Sequence, residues 1–205
     1  MAVFARKRLK HELMEFEKSD QKIKDSISIE LVHNNLFNLK LSLKGPPDTP
    51  YFGGKFYLSY RASDNYPFSP PSVQFTTRIW HPNISSVTGF ICLDILKEKW
   101  EASYTIISLL ISVQVLLQDP QPNDPQDAVV AKQYLTNRKQ FNDTAAYWTA
   151  IYAMNQSKRH QFPEFESKLK TLSKLVEGSN FAEDKLISAL SGNDWDVNRA
   201  FNALF

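Results

Sequence analysis

Cysteine and histidine are both scarce in this chain, and each scarcity removes a class of explanation. Cys92 is the only thiol among 205 residues, which excludes an intrachain disulfide framework. His11, His33, His81 and His160 are scattered and leave no zinc-ligand spacing. No apolar run reaches the length needed to span a bilayer, and the N-terminal stretch is too charged for the apolar core of a signal peptide. A formal net charge of only +2 excludes a nucleic-acid binder driven by bulk charge. The expectation is a protein of a reducing compartment, the cytoplasm and by extension the nucleus, that engages neither nucleic acid nor membrane and keeps Cys92 as a free thiol.

What is present reads as one domain plus a small module. Ala5, Leu9, Leu13 and Phe16 recur at helical spacing and predict an N-terminal helix of about five turns, its other face carrying Arg6, Lys7, Arg8 and Lys10. From Ile27 the period becomes two: Ile27, Ile29 and Leu31; Leu39, Leu41 and Leu43; Phe56 and Leu58; Val73 and Phe75. These predict four antiparallel strands of a meander with one buried face. Gly45 to Gly54, with Pro46, Pro47 and Pro50, predicts a turn. Thr105 to Leu117 is too apolar for a surface helix and reads as a central helix on the sheet. Pro120, Pro122 and Pro125 end it. Two further helices follow, one carrying Tyr134 and one carrying Phe141, Trp148 and Tyr152 as packing residues. The fold class is α+β.

The chemistry centres on Cys92. A lone cysteine is ordinarily an inert core residue. Here the polar run Ser85-Ser86-Val87-Thr88-Gly89 precedes it, and loops lie at the surface where a partner can reach a thiol. Just upstream, Pro82 fixes its own φ and restricts His81, giving the Asn83 side chain a defined direction. His81 is the nearest histidine in sequence. It serves either as a base or as a hydrogen-bonding brace of the turn, and a Cys–His hydrolase would need it within reach of the sulfur.

His81-Pro82-Asn83 followed by Cys92 resembles the active-site signature of the ubiquitin-conjugating enzymes. Pro50-Tyr51-Phe52-Gly53-Gly54 is similar to the family's Pro-Tyr-x-Gly-Gly turn, and Tyr66-Pro67-Phe68-Ser69-Pro70-Pro71 to its Tyr-Pro-Phe-x-Pro-Pro loop; Trp100 and Asp124-Pro125 also stand at family positions. The resemblance implies the ubiquitin-conjugating fold for residues 1–154. It implies that Cys92 carries ubiquitin as a thioester and passes it to a lysine amine, with chain building on ubiquitin as an extension. Asn83 is then either the amide donor to the developing oxyanion or a brace of its loop. Asp124 is either the N-cap of a helix beginning near Gln126 or the acid that orients the incoming lysine, or both. Tyr134 lies on the acceptor side.

The implied partners are ubiquitin, an activating enzyme, a ligase of the RING or HECT type, and substrate proteins. ATP is used by the activating enzyme, so no bound cofactor is implied. Lys7 and Arg8 would meet the activating enzyme or ligase; His11 stands where several relatives have lysine. Pro67, Phe68, Ala102 and Ser103 would meet the ligase, although Phe68 also suits a core position, and the family often has proline and alanine where Ala102 and Ser103 stand. Two other functions compete: a non-catalytic ubiquitin-binding adaptor, and an enzyme that conjugates a different ubiquitin-like modifier.

Residues 155–162 are polar and basic and read as a linker. Beyond them Phe165, Leu169, Leu172 and Val176, then Leu186, Ile187 and Leu190, then Val197, Ala200, Phe201 and Leu204 predict three helices within 163–205. Pro163 starts the first and Gly178 stops it. A unit this small is near the lower limit for a core without metal or disulfide. It resembles a ubiquitin-associated (UBA) domain, which implies a ubiquitin-binding face at Ser179, Asn180, Phe181, Leu204 and Phe205. Where such domains have Met-Gly-Phe, this chain has Ser179-Asn180-Phe181. Asn180 suits the left-handed conformation, while Ser179 lacks the apolar contact of methionine; a module that only packs is the competing reading.

Overall fold

The computed structural model describes residues 1–205. The alternating apolar residues form one antiparallel sheet in the order β1-β2-β3-β4, from β1 (Ile27–Val32), β2 (Asn35–Lys44), β3 (Lys55–Arg61) and β4 (Ser72–Phe75). Its register aligns Ile29, Leu41, Leu58 and Phe75 in one row and Leu31, Leu39, Tyr60 and Val73 in the next. Such rows form because every second side chain leaves the same face. The sheet is the expected meander. Strand β1 departs from its expected burial: only Ile27 is buried, while Leu31, on the sheet's edge, is exposed.

Helix α1 (Ala2–Lys18) buries Ala5, Leu9 and Phe16, as its spacing predicts, and also Glu12. A short helix α2 (Gln21–Ser26), which the periodicity did not announce, leads into β1. The central helix α3 (Ile106–Gln118) buries Ile106, Leu109, Leu110, Val113, Leu116 and Leu117. Thr105 and Ser108 form a capping box at its start. Its opposite face keeps Ile111 and Val115 exposed, so α3 is buried on one side only. Helices α4 (Ala128–Thr136) and α5 (Arg138–Trp148) follow, and α5 runs on as a π-helical turn, Thr149–Ala153.

The C-terminal residues form α6 (Pro163–Leu175), α7 (Glu183–Gly192) and α8 (Val197–Asn202). All four expected apolar positions from Phe165 to Val176 are buried, as are Leu186, Ile187, Leu190 and Ala200, and Gly178 takes φ +95° where the first of these helices ends. The small unit obtains the rest of its core from α5. Trp195, 1 % exposed, stacks on Phe165 with ring centroids 3.9 Å apart and meets Tyr147 edge-on at 5.1 Å. Its indole N–H donates to Thr144 Oγ1 at 2.9 Å, and that of Trp148 to Ser191 Oγ at 2.9 Å. Arg78 lies over the Trp148 ring and donates to Ser188 Oγ at 2.7 Å. The segment read as a linker is folded into turns, with Arg159 paired to Glu166 and Glu183 of the C-terminal unit. One hydrophobic cluster therefore runs through both parts of the chain.

Candidate active site

The turn before Cys92 is built around a buried histidine. His81 Nδ1 accepts the backbone N–H of Asn83 at 3.0 Å, which leaves the proton on Nε2, facing the Leu116 carbonyl at 2.9 Å. The ring is fully buried, and burial pushes its pKa down from 6.5 to about 3, only partly offset by the Leu116 carbonyl. Both nitrogens are engaged inside the protein. His81 is the brace of the turn, and the reading of it as a base is closed by this geometry.

Asn83 is equally committed. Its side-chain amide donates to the carbonyls of Gln121 at 2.9 Å and Asp124 at 3.0 Å, and its carbonyl accepts Gln121 N–H at 2.8 Å. Both amide hydrogens are used. From the Pro82 carbonyl come two more ties, to the N–H groups of Gln126 and Asp127, each at 2.9 Å. The proline-rich segment 120–125, which cannot form its own helix or ladder, is thus sewn onto the active-site turn. Asp124 is exposed and its carboxylate touches no donor.

The N-cap reading of Asp124 is corrected by the structure. Helix α4 starts at Ala128, and its cap is Asp127, whose Oδ1 accepts Val130 N–H at 3.3 Å. The N–H groups of Gln126 and Asp127 are bound by the Pro82 carbonyl instead of a cap at Asp124, so the cap falls later. The second oxygen of Asp127 accepts both the N–H and the hydroxyl of Ser86, at 3.1 and 2.6 Å.

Cys92 follows this loop, half-buried, with its N–H donating to the Asn83 carbonyl at 2.8 Å. Gly89 permits the approach: at φ +73° a Cβ there would stand 1.9 Å from the Phe75 carbonyl oxygen. The sulfur has one side-chain partner, Lys97 Nζ at 3.3 Å. Neither imidazole nor carboxylate is bonded to it. Beside it, Leu93, Ile95, Ile111 and Val115 line an open apolar groove of about 320 Å³ that reaches Asp119 and Gln121. The site joins a reachable thiol, a braced loop ending in a free carboxylate, and an open apolar shelf.

Residues 8–149 match the family described as ubiquitin-conjugating enzyme. The chain belongs to the ubiquitin-conjugating enzymes. It is 45% identical to the human protein named ubiquitin-conjugating enzyme E2 K over 204 residues, which is all of this chain and 98% of that one. It is also 45% identical to the ubiquitin-conjugating enzyme E2-22 kDa of Drosophila melanogaster over the full length of both. Among solved structures, the E2 domain of a Toxoplasma gondii ubiquitin-conjugating enzyme aligns with TM-score 0.66 and 44% identity, covering 71% of this chain and 97% of that one. A putative ubiquitin-conjugating enzyme of Plasmodium yoelii aligns with TM-score 0.67 and 46% identity, over 71% and 93%. The enzyme class brings ubiquitin, an activating enzyme and a ligase as its partners.

The residues expected at partner surfaces of this ubiquitin-conjugating enzyme divide in two. Lys7, Phe68 and Ser103 are exposed, and Phe68 stacks on Phe4 with centroids 5.6 Å apart; its core reading is excluded. Ala102 is half-buried. Pro67 is buried, and its carbonyl accepts the Trp100 indole N–H at 2.7 Å, so the loop presents Phe68 rather than the proline. Arg8 is turned inward: it pairs with buried Glu12 and donates to the Tyr104 carbonyl at 2.9 Å. Glu12 also accepts Tyr66 O–H at 2.7 Å and Ile106 N–H at 2.8 Å, tying α1 to α3 and to the Tyr66 loop. Arg8 is thus half-buried and held by contacts within the chain, unlike exposed Lys7.

Tyr134 is half-buried between Phe141, 4.8 Å away, and the Arg138 guanidinium, 3.6 Å above its ring. It lines a cleft of about 420 Å³ whose walls include neither Cys92 nor Asp124. At the C-terminal unit, Phe181 and Phe205 meet edge-on at 5.6 Å and Phe201 lies 5.2 Å from Phe205. Asn180 is exposed, Ser179 and Leu204 are half-buried, and Asn180 is not among the residues with positive φ. The left-handed conformation expected there is instead supplied by Gly178. Asp127, Lys97 and Glu12 were not singled out from the sequence; Asp127 alone left a signal there, as an acid just before an apolar run.

Proposed function

We propose that Cys92 accepts ubiquitin as a thioester and that a lysine amine then takes it, extending to the lysines of ubiquitin itself. The observation that carries this reading is the isolation of the sulfur. It is half-buried and reachable, held by its own N–H, and bonded to neither imidazole nor carboxylate, Lys97 Nζ at 3.3 Å being its one side-chain partner. A general base in that position would activate water and discharge the acyl group. The attacking amine makes a bond to the thioester carbon, the C–S bond breaks, and the thiol is returned.

Asp124 is the group for that amine. Its carboxylate is free while its backbone is clamped by Asn83, so it receives an ammonium at a fixed place and helps the proton leave, a positioning role. Asn83 acts through that clamp. The apolar groove beside Cys92 suits the surface of a carried protein, and Phe4 with Phe68 suits a ligase. The C-terminal unit acts as a UBA domain. It docks through Trp195, Ser188 and Ser191, leaving Phe181, Leu204 and Phe205 for ubiquitin. ATP serves the activating enzyme and nothing is bound here as a cofactor; the work is done in the cytoplasm and nucleus.

The test is incubation with activating enzyme, ATP and ubiquitin, followed by electrophoresis without reductant. A thiol-sensitive adduct one ubiquitin larger, absent from Cys92→Ala, is expected. No adduct, with an activating enzyme that charges another conjugating enzyme, would overturn the reading, and charging by a different ubiquitin-like protein would replace it.

A further inference from the structure

Among the buried residues of α4, Gln133 alone is polar. It is 3 % exposed, and its oxygen and both amide hydrogens are engaged. Oε1 accepts the Trp80 indole N–H at 2.8 Å, while Nε2 donates to the Ser191 carbonyl at 3.2 Å and to Asp194 Oδ1 at 3.1 Å. The amide fits one way round only, because a flip would set its hydrogens against the indole N–H and its oxygen against two acceptors. Trp80, itself buried, stands directly before the active-site turn. Its ring lies 5.0 Å from that of Trp148, and its carbonyl accepts the Tyr51 hydroxyl at 2.8 Å. The next residue is His81, whose ring holds Asn83, and Asn83 clamps Asp124. Two residues before Trp80, Arg78 lies over the Trp148 and Tyr152 rings, donates to Ser188 Oγ at 2.7 Å and pairs with Asp184 at 3.5 Å. The approach to the turn is therefore tied at residues 78 and 80 to α7 and the turn that follows it. That turn keeps its shape through the same contacts: Asp194 and Trp195 sit at φ +53° and +61°, left-handed angles unfavourable for either residue, and both side chains end on the catalytic part, at Gln133 and Thr144.

We propose that Gln133 is a positioning residue for transfer: through it and Trp80 the docked C-terminal unit sets the turn that carries Asn83 and clamps Asp124, so a slackened dock slows lysine attack on the thioester and leaves the charging of Cys92 as it was. This rests on the thioester reading above. The two steps differ in what they require of the site. Charging needs the thiol within reach of the activating enzyme. Attack by lysine also needs Asp124 at a fixed place, and a displacement of about 1 Å at such a group lowers a rate by about a hundredfold. Gln133 touches neither the sulfur nor the amine and acts through Trp80, whose buried indole N–H is left without an acceptor if Gln133 follows the C-terminal unit away. Helix α4 carries the constraint at both ends, since Asp127 at its start holds Ser86 of the loop before Cys92. The C-terminal unit therefore has a task in the reaction that is separate from any binding surface of its own.

The experiment uses the full chain. Gln133→Glu keeps an oxygen for Trp80 and sets a carboxylate against the Ser191 carbonyl and Asp194. Asp194→Ala removes one acceptor from the C-terminal side and touches nothing in the site. The double variant Gln133→Glu with Asp194→Asn restores a bond between the two positions with its polarity reversed. Each protein is charged with activating enzyme, ATP and ubiquitin, EDTA is added, and loss of the thioester is followed with and without free lysine, at a temperature where denaturant unfolding shows every variant folded. Charging and lysine-independent loss should match wild type, while discharge to lysine falls about threefold or more in Gln133→Glu, falls less in Asp194→Ala and partly recovers in the double variant. The indole N–H resonance of Trp80 should move in Asp194→Ala, which does not contact it. A residue that served folding alone would lower the unfolding midpoint and leave both the discharge of the folded protein and that resonance unmoved. Unaltered discharge in both single variants, a charging defect as large as the discharge defect, or an unmoved Trp80 resonance in Asp194→Ala would overturn the proposal and leave the thioester reading intact. Failure of the wild type to form any thioester overturns both.

Discussion

Ser86 and Asp127 are joined through a single carboxylate oxygen, which accepts the serine hydroxyl at 2.6 Å and its N–H at 3.1 Å while the other oxygen caps α4. One side chain thus fixes the start of a helix and the loop that delivers Cys92. Asp127→Ala should cost about 1 kcal/mol from the cap and release the loop. Hydrogen exchange should rise at Ser86 and its neighbours and stay unchanged in β2 and β3. Unaltered exchange at Ser86 would show that the loop is held by other means.

Asn83 distinguishes a brace from an oxyanion donor by stability. Asn83→Ala removes three hydrogen bonds and strands the N–H of Gln121 and two carbonyls. A loss of about 1–3 kcal/mol is expected, measured by denaturant unfolding, together with slower transfer to lysine. Asn83→Asp puts a carboxylate against two carbonyl oxygens and should be at least as destabilised at neutral pH. A residue that served only the oxyanion would slow transfer and leave the unfolding midpoint where it was.

His81 couples stability to pH. Its folded pKa lies near 3, below the ordinary value of about 6.5, so between these the unfolded chain binds the extra proton. The contribution is complete above the unfolded pKa and is lost as pH falls toward the folded one, up to roughly 5 kcal/mol in all. Between about pH 7 and about pH 5, wild type should lose about 2 kcal/mol more than His81→Gln by urea unfolding. Parallel losses would place the acid sensitivity elsewhere.

Trp195 tests whether the C-terminal unit stands alone. Its ring is shared between Phe165 and Tyr147, and its N–H ends on Thr144 of α5. The full chain should unfold in one calorimetric transition, and Trp195→Ala should lower it by about 3–5 kcal/mol. Two separate transitions, with the one for residues 1–154 unmoved by the substitution, would show independent domains.

The period-two rows and the a/d-like spacing of α1 and α3 carried the sheet and its helices, because burial on one face writes itself into sequence as periodicity. His81, Asn83 and Cys92 were legible as a motif. The fate of a polar group was not. Whether Arg8 faces a partner or Glu12, and whether Asp124 or Asp127 caps α4, depends on contacts between residues far apart in the chain. Nor does local pattern reveal that a π-helical turn and Trp195 weld the last three helices to α5, since each helix alone reads as self-contained. Lys97 was hidden for the same reason: only the 3-10 turn after Cys92 brings it back to the sulfur.

The most direct test of the account replaces one atom. Cys92→Ser presents a hydroxyl from the position of the thiol, with the braced turn and Asp124 unchanged. With activating enzyme, ATP and ubiquitin, wild type should give an adduct cleaved by thiol, and the serine variant a slower-forming adduct that survives thiol and is cleaved by hydroxide. That switch from thioester to oxyester chemistry would place the carried ubiquitin on the side chain at 92. An adduct from the serine variant still cleaved by thiol, or one resistant to hydroxide in both proteins, would put ubiquitin on another group and contradict it.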